Sequence, residues 1–215
     1  MPPSCAGCGA PVPAGAALCA RCDARLPRLA RGAPLGSVPH LIACCAAVCF
    51  EGDAETWIHR FKYPRPGWRG LDPAPLGVLR QLALEAARRA PGPRPACIVP
   101  VPLHPRRLRE RGFNPAALLA RWIAREQHCP FEAGLLQRLR DTPSQTGLGR
   151  SQRRANVRGA FTVTPAARAP LRVWLVDDVI TTGSTLAEAA RALHRAGSRE
   201  VVAICVAHTP EANEP

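Results

Sequence analysis

Asp177 and Asp178 stand side by side, and Thr181, Thr182, Gly183, Ser184 and Thr185 follow within a few residues. Adjacent carboxylates accept hydrogen bonds from sugar hydroxyls and help place Mg2+. Threonine and serine hydroxyls donate to phosphate oxygens, and a glycine among them lets backbone come close to an anion. The apolar run Val173–Val176 enters this stretch, and a helical pattern leaves it at Ser184. A helix N-terminus presents free N–H groups and the positive end of its dipole. Together these residues describe a cradle for a phosphorylated sugar. Plain helix capping by Thr182 or Ser184 would explain the hydroxyls but does not call for two acids beside them.

A second group lies at the start of the chain. Cys5-x2-Cys8 and Cys19-x2-Cys22 are two knuckles with ten residues between them. Each knuckle turns two sulfurs toward one point, and two knuckles complete a tetrahedral thiolate shell, which is the ligand set of structural Zn2+. A disulfide framework suits a secreted chain rather than one without a signal peptide. Cys44, Cys45, Cys49, Cys97, Cys129 and Cys205 sit in apolar surroundings without ligand spacing and read as core residues.

Positive charge is the third signal. The net charge is +13 and the pI about 10.5, a balance that favours phosphates, nucleotides or nucleic acid. Arg106, Arg107, Arg109 and Arg111 crowd one loop, and Arg150, Arg153, Arg154 and Arg158 another. Guanidinium forks suit di- and triphosphates, and a DNA backbone equally. An arginine-rich composition with a single lysine, Lys62, is the plainer account of the charge. Trp57, Trp68, Trp122 and Trp174 are scattered and build no stacking platform for single-stranded DNA.

These residues need elements to hold them. Ile42–Phe50 reads as a strand, Ala54–Tyr63 as a short helix and Pro64–Pro75 as a loop. Leu79, Leu82, Ala83 and Ala86 mark one helix, and Ala116, Leu119, Ala120 and Ile123 another within Phe113–Ala124. Cys97–Val101, Leu135–Leu139, Ala160–Val163, Val173–Val176 and Val201–Val206 read as strands. Asp141–Arg158 is polar and basic and reads as a mobile loop. Ser184–Ala196 is a helix with Leu186, Ala189, Ala190 and Leu193 inward, stopped by Gly197. Strands alternating with helices predict an α/β fold with a parallel sheet.

With these residues in hand, Val176-Asp177-Asp178-Val179-Ile180-Thr181-Thr182-Gly183-Ser184-Thr185 resembles the phosphoribosyl pyrophosphate (PRPP) motif of type I phosphoribosyltransferases. Val99–Asn114, Arg140–Leu148, Arg153–Phe161, Phe61-Lys62-Tyr63 and the four-cysteine module are similar to the ComF/GntX family. The resemblance covers nearly the whole chain. It implies a type I phosphoribosyltransferase-like parallel sheet flanked by helices at 40–215, and a small four-cysteine zinc ribbon at 1–39. It places Asp177 and Asp178 on the ribose hydroxyls and Thr181–Thr185 on the 5′-phosphate. Pyrophosphate falls to His104, Arg106 and Arg107, and a basic loop at Thr142–Arg154, carrying Arg150 and Arg153, closes over the substrate.

The expected function is then binding of PRPP with Mg2+, in a protein associated with natural competence and uptake of transforming DNA. If catalytic, it transfers a pentosyl group to an acceptor that no sequence feature identifies. Asp177, Asp178, Arg106 and Arg107 would then be the catalytic set. The alternative is a scaffold or sensor that keeps the pocket and binds a competence helicase, DNA-processing proteins or single-stranded DNA. No run approaches the length of a membrane span, and the first residues lack a secretory signal, so the expected compartment is the cytoplasm.

Overall fold

The computed structural model describes residues 3–30, 35–63, 73–141, 155–165 and 167–209. Its strands are β1 (Ala43–Cys45), β2 (Val48–Cys49), β3 (Cys97–Pro100), β4 (Leu136–Arg138), β5 (Phe161–Val163), β6 (Arg172–Val176), β7 (Val179–Ile180), β8 (Glu200–Ile204) and β9 (Ala207–His208). The main helices are α1 (Ala20–Ala24), α2 (Gly52–Lys62), α3 (Pro73–Ala87), α4 (Pro105–Arg111), α5 (Pro115–Gln127) and α6 (Ser184–Arg195).

Four strands form a parallel sheet in the order β1-β8-β6-β3. A second parallel sheet, β2-β9-β7, continues three of them past a common break. The break has a hydrogen-bond cause. The Val206 carbonyl accepts from both Ala47 and Val48 N–H, and the Asp178 carbonyl accepts from both Val206 and Ala207 N–H. Three neighbouring strands thus shift register at one level, and Asp177 and Asp178 sit on that shift.

The alternation of side chains divides the core in two. Ile98, Trp174, Val176, Val202 and Ile204 face α2, α3 and α5, where Trp57, Phe61, Leu79, Leu82, Leu119 and Ile123 are buried. Val99, Val173, Leu175, Val201 and Ala203 face α6, with Leu186, Ala189, Ala190 and Leu193. The β4–β5 ribbon is antiparallel and stands apart from the main sheet. The four-cysteine module joins the first core: Cys5, Val12, Leu18, Cys22 and Leu26 are buried in the same cluster as Trp57 and Leu79. Arg28, which pairs with both Asp23 and Glu85, ties it further to α3.

Several expectations are corrected. Ile42–Phe50 is two short strands in different sheets, because the chain bends at Ala46 and Ala47. The expected loop Pro64–Pro75 already enters helix α3 at Pro73. The arginine-rich segment after β3 is the helix α4, not a loop. His104 caps it by accepting from Arg106 N–H at 3.3 Å, and Pro105 fits its first turn. The next helix starts at Pro115, capped by Asn114, whose side chain also donates to the Val101 carbonyl at 3.0 Å. The two-residue strands β7 and β9 lie beyond the reach of periodicity. Arg150, Arg153 and the rest of the Thr142–Arg154 loop lie outside the described residues.

Candidate functional site

The turn that carries the two acids begins where β6 ends. Asp177 N–H donates to the Ile204 carbonyl at 3.1 Å, and the Asp177 carboxylate accepts from Asp178 N–H at 2.9 Å. Ile180 is buried, and Thr181 is exposed. Gly183 takes φ of +68° and is the N-cap of α6 without a side-chain cap of its own. Thr182 Oγ1 lies 2.9 Å from Ser184 Oγ and 3.4 Å from Ser184 N. Ser184 and Thr185 open the helix. The turn therefore gathers the acids, the hydroxyls and the helix N-terminus at one end of the parallel sheet.

Electrostatics at the acids is set by groups distant in sequence. Lys62, the last residue of α2, places Nζ 2.8 Å from Asp178 Oδ1, with side chains 24% and 13% exposed respectively. Burial works to lower the Lys62 value, but Asp178 and then Asp177 outweigh it and raise the ammonium above its ordinary range. Burial and then the Asp178 charge push Asp177 up to about 7, against the pull of the Asp178 N–H, Lys62 and Arg138. Arg138 lies on β4 close enough to feel both Arg107 and Asp177. Neither Lys62 nor Arg138 was a sequence-derived site residue. The Phe-Lys-Tyr motif held the signal for Lys62; a two-stranded ribbon with no motif held none for Arg138.

The basic group gathers around Asp141. Its carboxylate lies 3.6 Å from His104 Nδ1, 3.5 Å from Arg106 and 4.0 Å from Arg107. Arg106 also pairs with Glu110 at 3.0 Å. At the far end of α4, Arg111 donates to the Tyr63 hydroxyl at 3.1 Å, with its guanidinium 4.8 Å from the ring centroid. The Arg106–Arg107 cluster and the acid pair are thus linked through Arg138 and through the α2–α4 contact.

The four N-terminal thiols converge. Their sulfurs all lie within 4.8 Å of one another, and Cys8 Sγ is 3.7 Å from Cys19 Sγ. A tetrahedral ion with metal–sulfur bonds of about 2.3 Å spaces its sulfurs by about 3.8 Å. Against the upward push of burial, the N–H groups of Cys19, Cys8 and Gly7 hold Cys5 down at about 6, while the Cys8 thiol and burial push Cys22 up to about 12. Gly7 packs on Cys22, where a Cβ would come within 2.9 Å of its sulfur. The donor set and its spacing suit a metal ion.

The phosphoribosyl transferase domain family matches residues 112–215. DNA utilization protein YhgH of Salmonella typhi is 33% identical over 208 residues, which cover 95% of this chain and 90% of that protein. The chain belongs to the ComF/YhgH family. Competence protein F of Haemophilus influenzae is 38% identical over 147 residues, 67% of this chain and 63% of the relative. The match thus spans somewhat less than two thirds of that relative. The allosteric regulatory enzyme of purine biosynthesis superposes with a TM-score of 0.45 at 20% identity, covering 75% of this chain and 30% of its own. The phosphoribosyl transferase domain takes in the acid pair, the Thr181–Thr185 turn and α6. Among the described residues no helix is long and apolar enough to cross a membrane.

Proposed function

We propose that this ComF/YhgH-family chain binds PRPP, or a closely related phosphorylated ribose, with Mg2+ and serves the uptake or use of DNA in the cytoplasm. The observation that carries the reading is the turn: two acids, four hydroxyls and a helix N-terminus converge at the end of β6. Asp177 and Asp178 would accept from the ribose hydroxyls, and Thr181, Thr182, Gly183, Ser184 and Thr185 would hold the 5′-phosphate. His104, Arg106 and Arg107 would receive pyrophosphate, with Arg150 and Arg153 in the closing loop. Mg2+, if bound with the ligand, would supply charge neutralisation for the pyrophosphate, and Asp177 and Asp178 are the residues that would help hold it. Because Lys62 already pairs with Asp178, the acids would contribute less to holding such an ion than the phosphates of the ligand.

The names of the relatives, competence protein F and DNA utilization protein, support the cellular role. A zinc ion on Cys5, Cys8, Cys19 and Cys22 would fix a ribbon at 1–39 against the domain at 40–215. If the site is catalytic, Asp177, Asp178, Arg106 and Arg107 would be the catalytic set for pentosyl transfer to an acceptor. A second reading, a binding module for a helicase or single-stranded DNA, draws on the +13 charge.

Calorimetric titration with PRPP and Mg2+, beside an Asp177→Asn/Asp178→Asn variant, tests the pocket. The expected result is binding by the parent and none by the variant. A folded parent that fails to bind would overturn the reading. Consumption of PRPP beyond its spontaneous decay then separates a transferase from a binding module.

A further inference from the structure

The segment Leu35–His40 does not trail past the turn; it is fastened over it. Val38 is buried against Gly183, so closely that a Cβ there would lie 2.5 Å from Val38 Cγ2. Two residues on, the His40 carbonyl lies 2.9 Å from His194 Nε2, while His194 Nδ1 lies 2.7 Å from the Ser198 carbonyl. Leu41 N–H donates to the Val38 carbonyl at 3.2 Å, and Ile42 N–H to the Val201 carbonyl at 2.9 Å. The segment is thus held at both the helix and the sheet, as a built wall.

Between this wall and the turn lies a cavity of about 450 Å3. The turn contributes Ile180–Ser184 to it, α6 contributes Ala187 and Glu188, and Arg158 lines a third side. Asp177 and Asp178 are not in its lining, so it opens on the phosphate side of the turn and away from the ribose acids. At about 30 Å3 for a water's share of liquid volume, the cavity equals some fifteen waters. A terminal 5′-phosphate would leave most of it unfilled. The space is in the range of small-molecule sites, which join apolar walls to a few polar groups. Leu35, Val38, Pro39 and Ala187 are the apolar part. Glu188 brings little repulsion to an anion, since its carboxylate already accepts from Gly159 N–H at 2.9 Å and pairs with Arg191 at 2.6 Å.

We propose that the cavity receives a nucleoside joined to the ligand's 5′-phosphate through a second phosphate. Besides PRPP, the site would then also take a ribose phosphoanhydride of the ADP-ribose type, whose 5′-phosphate carries the nucleoside. The base lies against Val38, Pro39 and Ala187, and Arg158 faces the second phosphate, which a planar guanidinium suits. The proposal rests on the reading of Thr181–Thr185 as a phosphate cradle.

The experiment compares calorimetric affinities for ribose 5-phosphate, PRPP and ADP-ribose in the full chain. ADP-ribose is expected to bind at least about tenfold more tightly than ribose 5-phosphate, a difference of about 1.4 kcal/mol. Ser37→Trp, at an exposed position in the lining, and Ala187→Phe on α6 should each abolish that advantage and leave ribose 5-phosphate unchanged. Arg158→Ala should weaken ADP-ribose alone. Equal affinity of the parent for ribose 5-phosphate and ADP-ribose overturns the extension while leaving the cradle intact. Failure of all three ligands to bind overturns the cradle itself, and the extension with it. An advantage that survives both cavity-filling variants places the nucleoside elsewhere and also overturns the proposal.

Discussion

Lys62 Nζ lies 2.8 Å from Asp178 Oδ1 and joins the end of α2 to the turn after β6. The chain's single lysine thus offsets the charge of an acid pair that would otherwise repel itself. Among the described residues Asp177 has no ion pair of this kind, and it rises to about 7 under burial and the Asp178 charge. The two acids differ in kind: Asp178 stays paired, while Asp177 titrates near neutrality.

Loss of the ammonium should be costly. Lys62→Met keeps the length of the side chain and leaves Asp178 without its ion pair. Removing one partner of a buried pair costs about 3–5 kcal/mol, and partial exposure of these side chains places this pair toward the lower end. Urea unfolding of the variant should show that loss, and Asp177 should titrate above its present value because Lys62 no longer pulls it down. An unchanged midpoint would mean that the pair contributes nothing to the fold.

The raised value of Asp177 has a signed consequence. Its ordinary unfolded value is about 3.9, and its folded value is about 7. Between the two the folded chain binds more protons than the unfolded chain. Stability from this group is therefore complete below about pH 4 and is lost as pH rises through 7. Asp177→Asn removes the titration while keeping the shape. The difference in thermal midpoint, variant minus parent, should grow from pH 5 to pH 8. Binding should run the other way, because a ribose hydroxyl needs the ionised carboxylate as acceptor. PRPP affinity of the parent should tighten across the same interval.

Metal removal should reach far beyond the first residues. Cys5 and Cys22 share a buried cluster with Leu18, Leu26, Trp57 and Leu79. Without an ion, four thiols remain packed within 4.8 Å, and the apolar surface they organise loses its anchor. Chelation should lower the thermal midpoint of the whole chain in a single transition, with release of one zinc per chain by a colorimetric indicator. Cys8→Ser, at an exposed ligand, should do the same in part. A separate low-temperature transition would show that 1–39 unfolds alone.

The site was legible in sequence only where it is local. The β6–turn–α6 unit and the cysteine knuckles are contiguous patterns, so their residue types and spacing could be read directly. Lys62 and Arg138 reach the acids through the packing of α2 and β4, which no periodicity encodes. The helix α4 was hidden by its arginines and by Pro105, which suit a basic loop as well as a first helical turn. The strand expected at Ile42–Phe50 divides because Ala47 and Val48 both donate to one carbonyl, Val206. That break is a property of the neighbouring strands, not of the run itself.

Gly183 has two separable reasons to be glycine. Its φ of +68° lies in the left-handed region, which costs another residue about 1–2 kcal/mol. A Cβ there would also strike Val38, 2.5 Å from Cγ2 and 3.1 Å from Cγ1, and overpacking of this sort costs about 1–3 kcal/mol. Gly183→Ala should therefore lose about 2–5 kcal/mol on unfolding in urea. Val38→Ala, which removes both methyl groups, costs the burial of a valine side chain on its own. Combined with Gly183→Ala it should return the steric part and leave only the backbone strain. The double-mutant cycle should then give a favourable coupling of about 1 kcal/mol or more. Strict additivity would mean that Val38 does not press on the turn, and that the wall over the phosphate side stands further off than its contact with Gly183 implies.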